Sequence, residues 1–148
     1  MYVIASDHGG LEMKEAIVGL LVQRGLSYKD LGPINSESVD YPDFGVKVAE
    51  AVSSDEAAAG ILICGTGIGM SIVANKFPRV RAALVHDSFT AQMAKEHNNA
   101  NVLVLGGRIL SVADGLELVE IWLDTDYEGG RHQLRLDKIS KLEQDVTS

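Results

Sequence analysis

The chain has 148 residues, 46% of them hydrophobic, which is enough to bury the core of one domain spanning residues 1–148 and too little for several. Thirteen Lys and Arg against 21 Asp and Glu give a formal net charge of -8, a field that repels polyanions and excludes nucleic acid and anionic membrane surfaces as natural partners. A single cysteine closes no internal disulfide, MYVIASDHGG lacks a secretory signal, and no apolar stretch reaches the roughly 18 residues of a membrane span, so a soluble cytoplasmic protein is expected.

YVIAS at 2–6 opens the chain as a buried strand, and a helical pattern over 10–24 follows the Gly9-Gly10 break. SYKDL at 27–31 is a second strand without a continuous apolar run. The loop GPINSESVDYPD leads to a helix over 42–53, then GILIC at 60–64 runs into a helix over 67–77. RAALV at 81–85, a helix over 88–97, NVLVL at 101–105 and a helix over 111–124 continue the alternation. Beyond Gly129-Gly130 a sixth helix covers 131–145, and the polar end EQDVTS is expected to fray.

Four of the five strands are apolar without period-two alternation, as in parallel strands covered on both faces. The pattern predicts an α/β protein, a three-layer α/β/α sandwich around a five-stranded parallel Rossmann-like sheet. The extra C-terminal helix can swing on its Gly-Gly hinge towards a partner subunit.

In open parallel sheets the ligand lies outside the carboxyl ends of the strands. Asp7-His8, Cys64 to Gly67, His86-Asp87 and Gly106 to Arg108 all fall at that edge. CGTGIGMSIVANK, residues 64–76, is the most informative segment. Gly65, Gly67 and Gly69 permit a tight turn whose N–H groups, with the helix dipole, make an anion cradle. Their G-x-G-x-G spacing differs from the dinucleotide G-x-G-x-x-G, and no P-loop Lys-Ser/Thr completes it. The glycines could equally serve only to pack a helix on a strand. Cys64 stands ahead of the cradle, where oriented N–H groups favour a thiolate able to take a proton from carbon. The competing reading is a small buried hydrophobe ending an apolar strand. Thr66 beside it could relay a proton between oxygens.

Arg131, His132 and Arg135 are expected on one helical face, a phosphate-binding cluster or a solvated face on an acidic body. His97 ends a helix before the fifth strand, so topology puts it at the edge opposite Cys64, and it is either an ordinary exposed histidine or acts on a neighbouring subunit's site. His86 is left without a role. No His, Asp or Glu pair has convincing metal-ligand spacing, so no metal and no cofactor is expected.

SDHGG, VDYPD, GILICGTGIGMSIVANK, HNNANVLVLGGR and YEGGRHQLR together resemble the type B ribose-5-phosphate isomerases, a family that includes allose-6-phosphate and galactose-6-phosphate isomerases. The resemblance covers nearly the whole chain. It implies Cys64 as the proton-abstracting base, Gly65, Thr66, Gly67, Ile68 and Gly69 as the loop stabilising an enediolate, with Thr66 assisting proton transfer, and His97 as the ring-opening acid. It implies Asp7, His8, Tyr41 and Asn98 around the sugar, and Arg108, Arg131 and Arg135 on the phosphate with His132 beside them. Ser71 stands where some members carry a glutamate base, so the cysteine arrangement is implied. A homodimer, or a tetramer made of two such dimers, with shared sites and a small phosphorylated sugar as substrate is the expectation. Allose 6-phosphate is the alternative substrate, and a non-catalytic sugar-phosphate sensor or an oligomerisation module are the rival classes.

Overall fold

The computed structural model describes residues 1–147. Five parallel strands form the sheet: β1 (Tyr2–Ser6), β2 (Tyr28–Asp30), β3 (Ala59–Cys64), β4 (Ala82–Leu84) and β5 (Val102–Gly106), in the order β2-β1-β3-β5-β4. Six α-helices accompany them: α1 (Leu11–Gln23), α2 (Tyr41–Ser53), α3 (Ile68–Ala74), α4 (Ser88–Glu96), α5 (Val112–Asp124) and α6 (Arg131–Thr147). A 3-10 turn over His8–Gly10 precedes α1.

The apolar strands divide residue by residue between two faces, because successive side chains of a strand point opposite ways. Ile4, Ile61, Ile63, Leu103 and Leu105 pack on α1, α4 and α5, around a fully buried Trp122. Val3, Ala5, Leu62, Cys64, Val102 and Val104 pack on α2 and α3. Each large side chain so buried contributes about 1.5–3 kcal/mol. The expected three-layer α/β/α sandwich with an extra C-terminal helix is the one found.

β4 departs from the expectation of a buried strand: Ala82, Ala83 and Leu84 are half-buried. β5, last in the chain, pairs with both β3 and β4 and pushes β4 to the edge. The third helix is also shorter than 67–77. It stops at Ala74 because the Asn75 amide bonds the Ala82 backbone in both directions, at 3.0 and 2.9 Å, with Pro78 close behind.

Long-range hydrogen bonds fasten the frame at two places. Lys14 is buried on α1, and its Nζ donates to Asp30 at 2.8 Å and to the Pro33 carbonyl at 2.7 Å. α6 is held near its ends, where the Glu128 N–H donates to the Glu96 carbonyl at 3.0 Å and the Arg79 N–H to Glu143 at 2.9 Å. The helix continues through Thr147 instead of fraying from 143, and Ser148 lies outside the described residues. Leu134, Ile139, Leu142 and Val146 of α6 are exposed.

Candidate active site

At the carboxyl edge, the loops after β1, β3 and β5 meet backbone against backbone. Gly107 N–H donates to the Cys64 carbonyl at 2.8 Å and Arg108 N–H to the Gly65 carbonyl at 2.9 Å. Arg108 then lies in a slot between the first and third strand ends, since a Cβ at Gly9 would stand 3.2 Å from its Nη2 and one at Gly65 3.4 Å from its Nη1. This is the switch point of the sheet, where the chain runs from β1 outward on either side.

The cradle begins at Gly67, whose φ of +82° suits glycine, and the Gly67 N–H donates to Cys64 Sγ at 3.2 Å. Cys64 is 5% exposed and shares the apolar cluster of α2 and α3, so both sequence readings describe it in part: it is packed like a hydrophobe and carries a donor on its sulfur. Thr66 is exposed, its Oγ1 accepting the Ile68 N–H at 3.2 Å. Tyr41 caps the other side of the loop, for a Cβ on Gly69 would fall 2.4 Å from its ring. Ser71 donates to the Ile68 carbonyl at 2.7 Å, which occupies its proton inside α3. A cavity of about 220 Å³ opens beside Thr66 and Ile68, bounded by His86, Gly106 and Ile109.

Asp7 caps the 3-10 turn by accepting the Gly10 N–H at 3.0 Å. His8 Nδ1 accepts the Val39 N–H at 3.2 Å, tying the long loop before α2 to this edge and leaving Nε2 as the protonated nitrogen. Asp87 caps α4, and hydrogen bonds from the Thr90 backbone and hydroxyl hold its carboxylate below the ordinary range.

The remaining expected residues assemble at the amino edge. His97 ends α4 and stacks on His132 with ring centroids 4.1 Å apart and planes 18° from parallel. Asn98 is exposed beside it. Arg131 and Arg135 are exposed one turn apart on α6, but His132 does not share their face. Its ring is turned inward and buried, because neighbouring helical positions are separated by about 100°. The sheet separates this group from Cys64: five residues at about 3.3 Å each are roughly 16 Å. Arg108 is therefore grouped with the sulfur, and Arg131 with His97.

Two features have no counterpart in the sequence reading. Ser6 Oγ is buried at the end of β1 without a hydrogen-bond partner among the described residues. Glu128 joins His97 and His132, the three offering ligand atoms within 4.8 Å of one another. The available signal was the four-residue separation of Glu128 and His132. Glu96 adjoins this group, its carboxyl held below the usual range by the hydrogen bond shared with Glu128 and then by that from Gln92.

A parallel sheet with a glycine loop at its switch point defines the class as an α/β protein whose ligand site lies at the carboxyl edge. Residues 2–139 match the family model described as Ribose/Galactose Isomerase, and the chain belongs to that family. It is 45% identical over 138 residues, 93% of each chain, to ribose-5-phosphate isomerase B of Escherichia coli. Its fold superposes on ribose-5-phosphate isomerase B of Clostridium thermocellum with a TM-score of 0.95, at 49% identity and 99% coverage of both chains. The Mycoplasma genitalium ribose-5-phosphate isomerase B with bound ribulose-5-phosphate gives a TM-score of 0.93 at 43% identity, covering 97% of this chain and 95% of that one.

Proposed function

We infer that the chain is an aldose-ketose isomerase interconverting ribose 5-phosphate and ribulose 5-phosphate, with Cys64 as the base. The observation that carries the residue assignment is the Gly67 N–H donated to Cys64 Sγ, which gives charge building on that sulfur a fixed partner. The family and the isomerase B relatives support the reaction.

In the mechanism, His97 of a second copy protonates the ring oxygen as the C1 hydroxyl releases its proton to water, which breaks the bond from C1 to the ring oxygen and exposes the C1 aldehyde beside the glycine loop. Cys64 takes the proton from C2. Loop N–H groups from Gly65 to Gly69 hold the enediolate. Thr66 carries the proton from the C2 hydroxyl to the C1 oxygen, and Cys64 returns its proton to C1, giving the ketose. Asp7, His8 and Tyr41 bound the sugar, with Ile68 and Ser71 on the α3 side and Asn98 from the second copy.

The phosphate is the task of Arg108, with Arg131, His132 and Arg135 arriving from the other chain. The division of these groups between the two sheet edges supports a homodimer with shared sites. The exposed apolar side chains of α6 support its seat on a partner. The free cysteine suits a cytoplasmic enzyme, and no helix among the described residues is long and apolar enough to cross a membrane.

Cys64→Ala tests the base. Steady-state isomerisation of ribose 5-phosphate and wash-out of deuterium from C2 are both expected to fall by at least about 10³, as for loss of a catalytic proton-transfer group. Retention of either at near the starting rate refutes the assignment.

A further inference from the structure

We propose that His97, Glu128 and His132 form a site for a divalent ion of the zinc class, and that filling it arrests the isomerase. The arrest rests on the role given to His97 above; the site itself does not. One nitrogen from each histidine and one Glu128 oxygen lie within 4.8 Å of one another, on three different turns of the chain. His132 is 6% exposed, and its Nε2 has no hydrogen-bond partner among the described residues. Glu128 Oε1 stands 3.7 Å from that nitrogen, beyond hydrogen-bond reach. A buried imidazole nitrogen without a partner is costly, and a cation between it and the carboxylate relieves the cost.

The donor set selects the ion. Calcium and magnesium take oxygen ligands, whereas two imidazoles and one carboxylate suit zinc and its neighbours among the later transition metals. Zinc holds nitrogen and oxygen at about 2.0–2.2 Å, which sets tetrahedral ligand atoms roughly 3.4 Å apart. The three side chains must therefore draw together by about 1.4 Å at most. His97 and Glu128, with side chains 37% and 51% exposed, are free to make that movement, and buried His132 is the fixed anchor. Rotating the His97 ring out of its stack turns its lone pair towards the ion. The fourth position stays open to water, as in three-ligand zinc sites. Glu96 supports the set from outside, accepting the Glu128 N–H on its carbonyl and standing 3.9 Å from His97 Nε2 with its carboxylate. With one nitrogen on a metal, the His97 ring cannot take up the second proton that makes it the acid for the sugar ring oxygen.

Calorimetric titration of zinc chloride into the full chain, in a non-chelating buffer, is expected to show one ion per chain. Cys64→Ala should bind with the same affinity, while Glu128→Gln and His132→Ala bind at least about ten-fold more weakly. In steady-state assays zinc should abolish wild-type turnover and a chelator restore it. Glu128→Gln should turn over normally without metal and need at least about ten-fold more zinc for half-inhibition. Loss of binding in Cys64→Ala, or unchanged affinity in both Glu128→Gln and His132→Ala, overturns the site. Bound zinc with full turnover overturns the arrest. The calorimetric measurement uses no sugar, so it stands apart from the isomerase assignment.

Discussion

Cys64 is packed as filler and, on the proposed mechanism, serves as a reagent, and Gly67 separates the two uses. A methyl group at Gly67 would stand 2.4 Å from Leu84 Cδ1 and 3.1 Å from the Leu105 backbone, on a residue whose φ is +82°. Gly67→Ala must therefore shift the turn and withdraw the N–H from sulfur. Loss of one preorganised donor costs about 2.7–4 kcal/mol of barrier, so kcat should fall by about 10² or more with far-ultraviolet circular dichroism unchanged. A near-normal kcat in a folded variant would remove the loop from the chemistry. The glycine spacing and the cysteine were legible because they are contiguous. The turn of His132 away from Arg131 was not, since adjacent letters on a helix look like neighbours and face different ways. Nothing local reveals that Arg108 lies between Gly9 and Gly65, a meeting of three strand ends.

At the scale of elements, α4 starts at a charged cap. Thr90 lowers the Asp87 carboxyl relative to its free value of 3.8, so the cap stabilises the fold above that value and its contribution vanishes as pH falls through the lower folded value. Thermal melts should show wild type above Asp87→Asn at pH 7, with the gap closing below pH 3.8. An unchanged gap in acid would mean that the charge plays no part. Lys14 couples α1 to β2 and the loop after it. Lys14→Met should lower unfolding free energy in urea by about 2–3 kcal/mol, less than the roughly 3–5 of a wholly buried pair because Asp30, 37% exposed, can take water. No loss would show that the methionine packs as well as the ion pair. Strand and helix positions were largely legible from apolar runs and glycine breaks. The end of α3 and the exposure of β4 depended on Asn75 and on strand order, both fixed by distant contacts.

Over the whole molecule, the expected site residues form two groups at opposite edges of one sheet, a separation that the position of His97 already implied. On the shared-site proposal, mixing inactive Cys64→Ala and His97→Ala chains rebuilds one intact site in each mixed dimer. Random exchange makes half the dimers mixed, so about a quarter of the wild-type rate should return. No recovery after exchange is verified by mass spectrometry would refute sharing.

The central place of β5 has a consequence for biosynthesis. Among the described residues β4 has no hydrogen-bonded strand other than β5, and β3 keeps one edge bare until β5 arrives. On the ribosome, roughly the first hundred residues can pair only β1, β2 and β3, so the sticky edge of β3 stays open from the synthesis of Cys64 until Val102 follows. A nascent chain stalled before Val102 exposes that edge to other chains, and completion of the sheet waits on the last strand made.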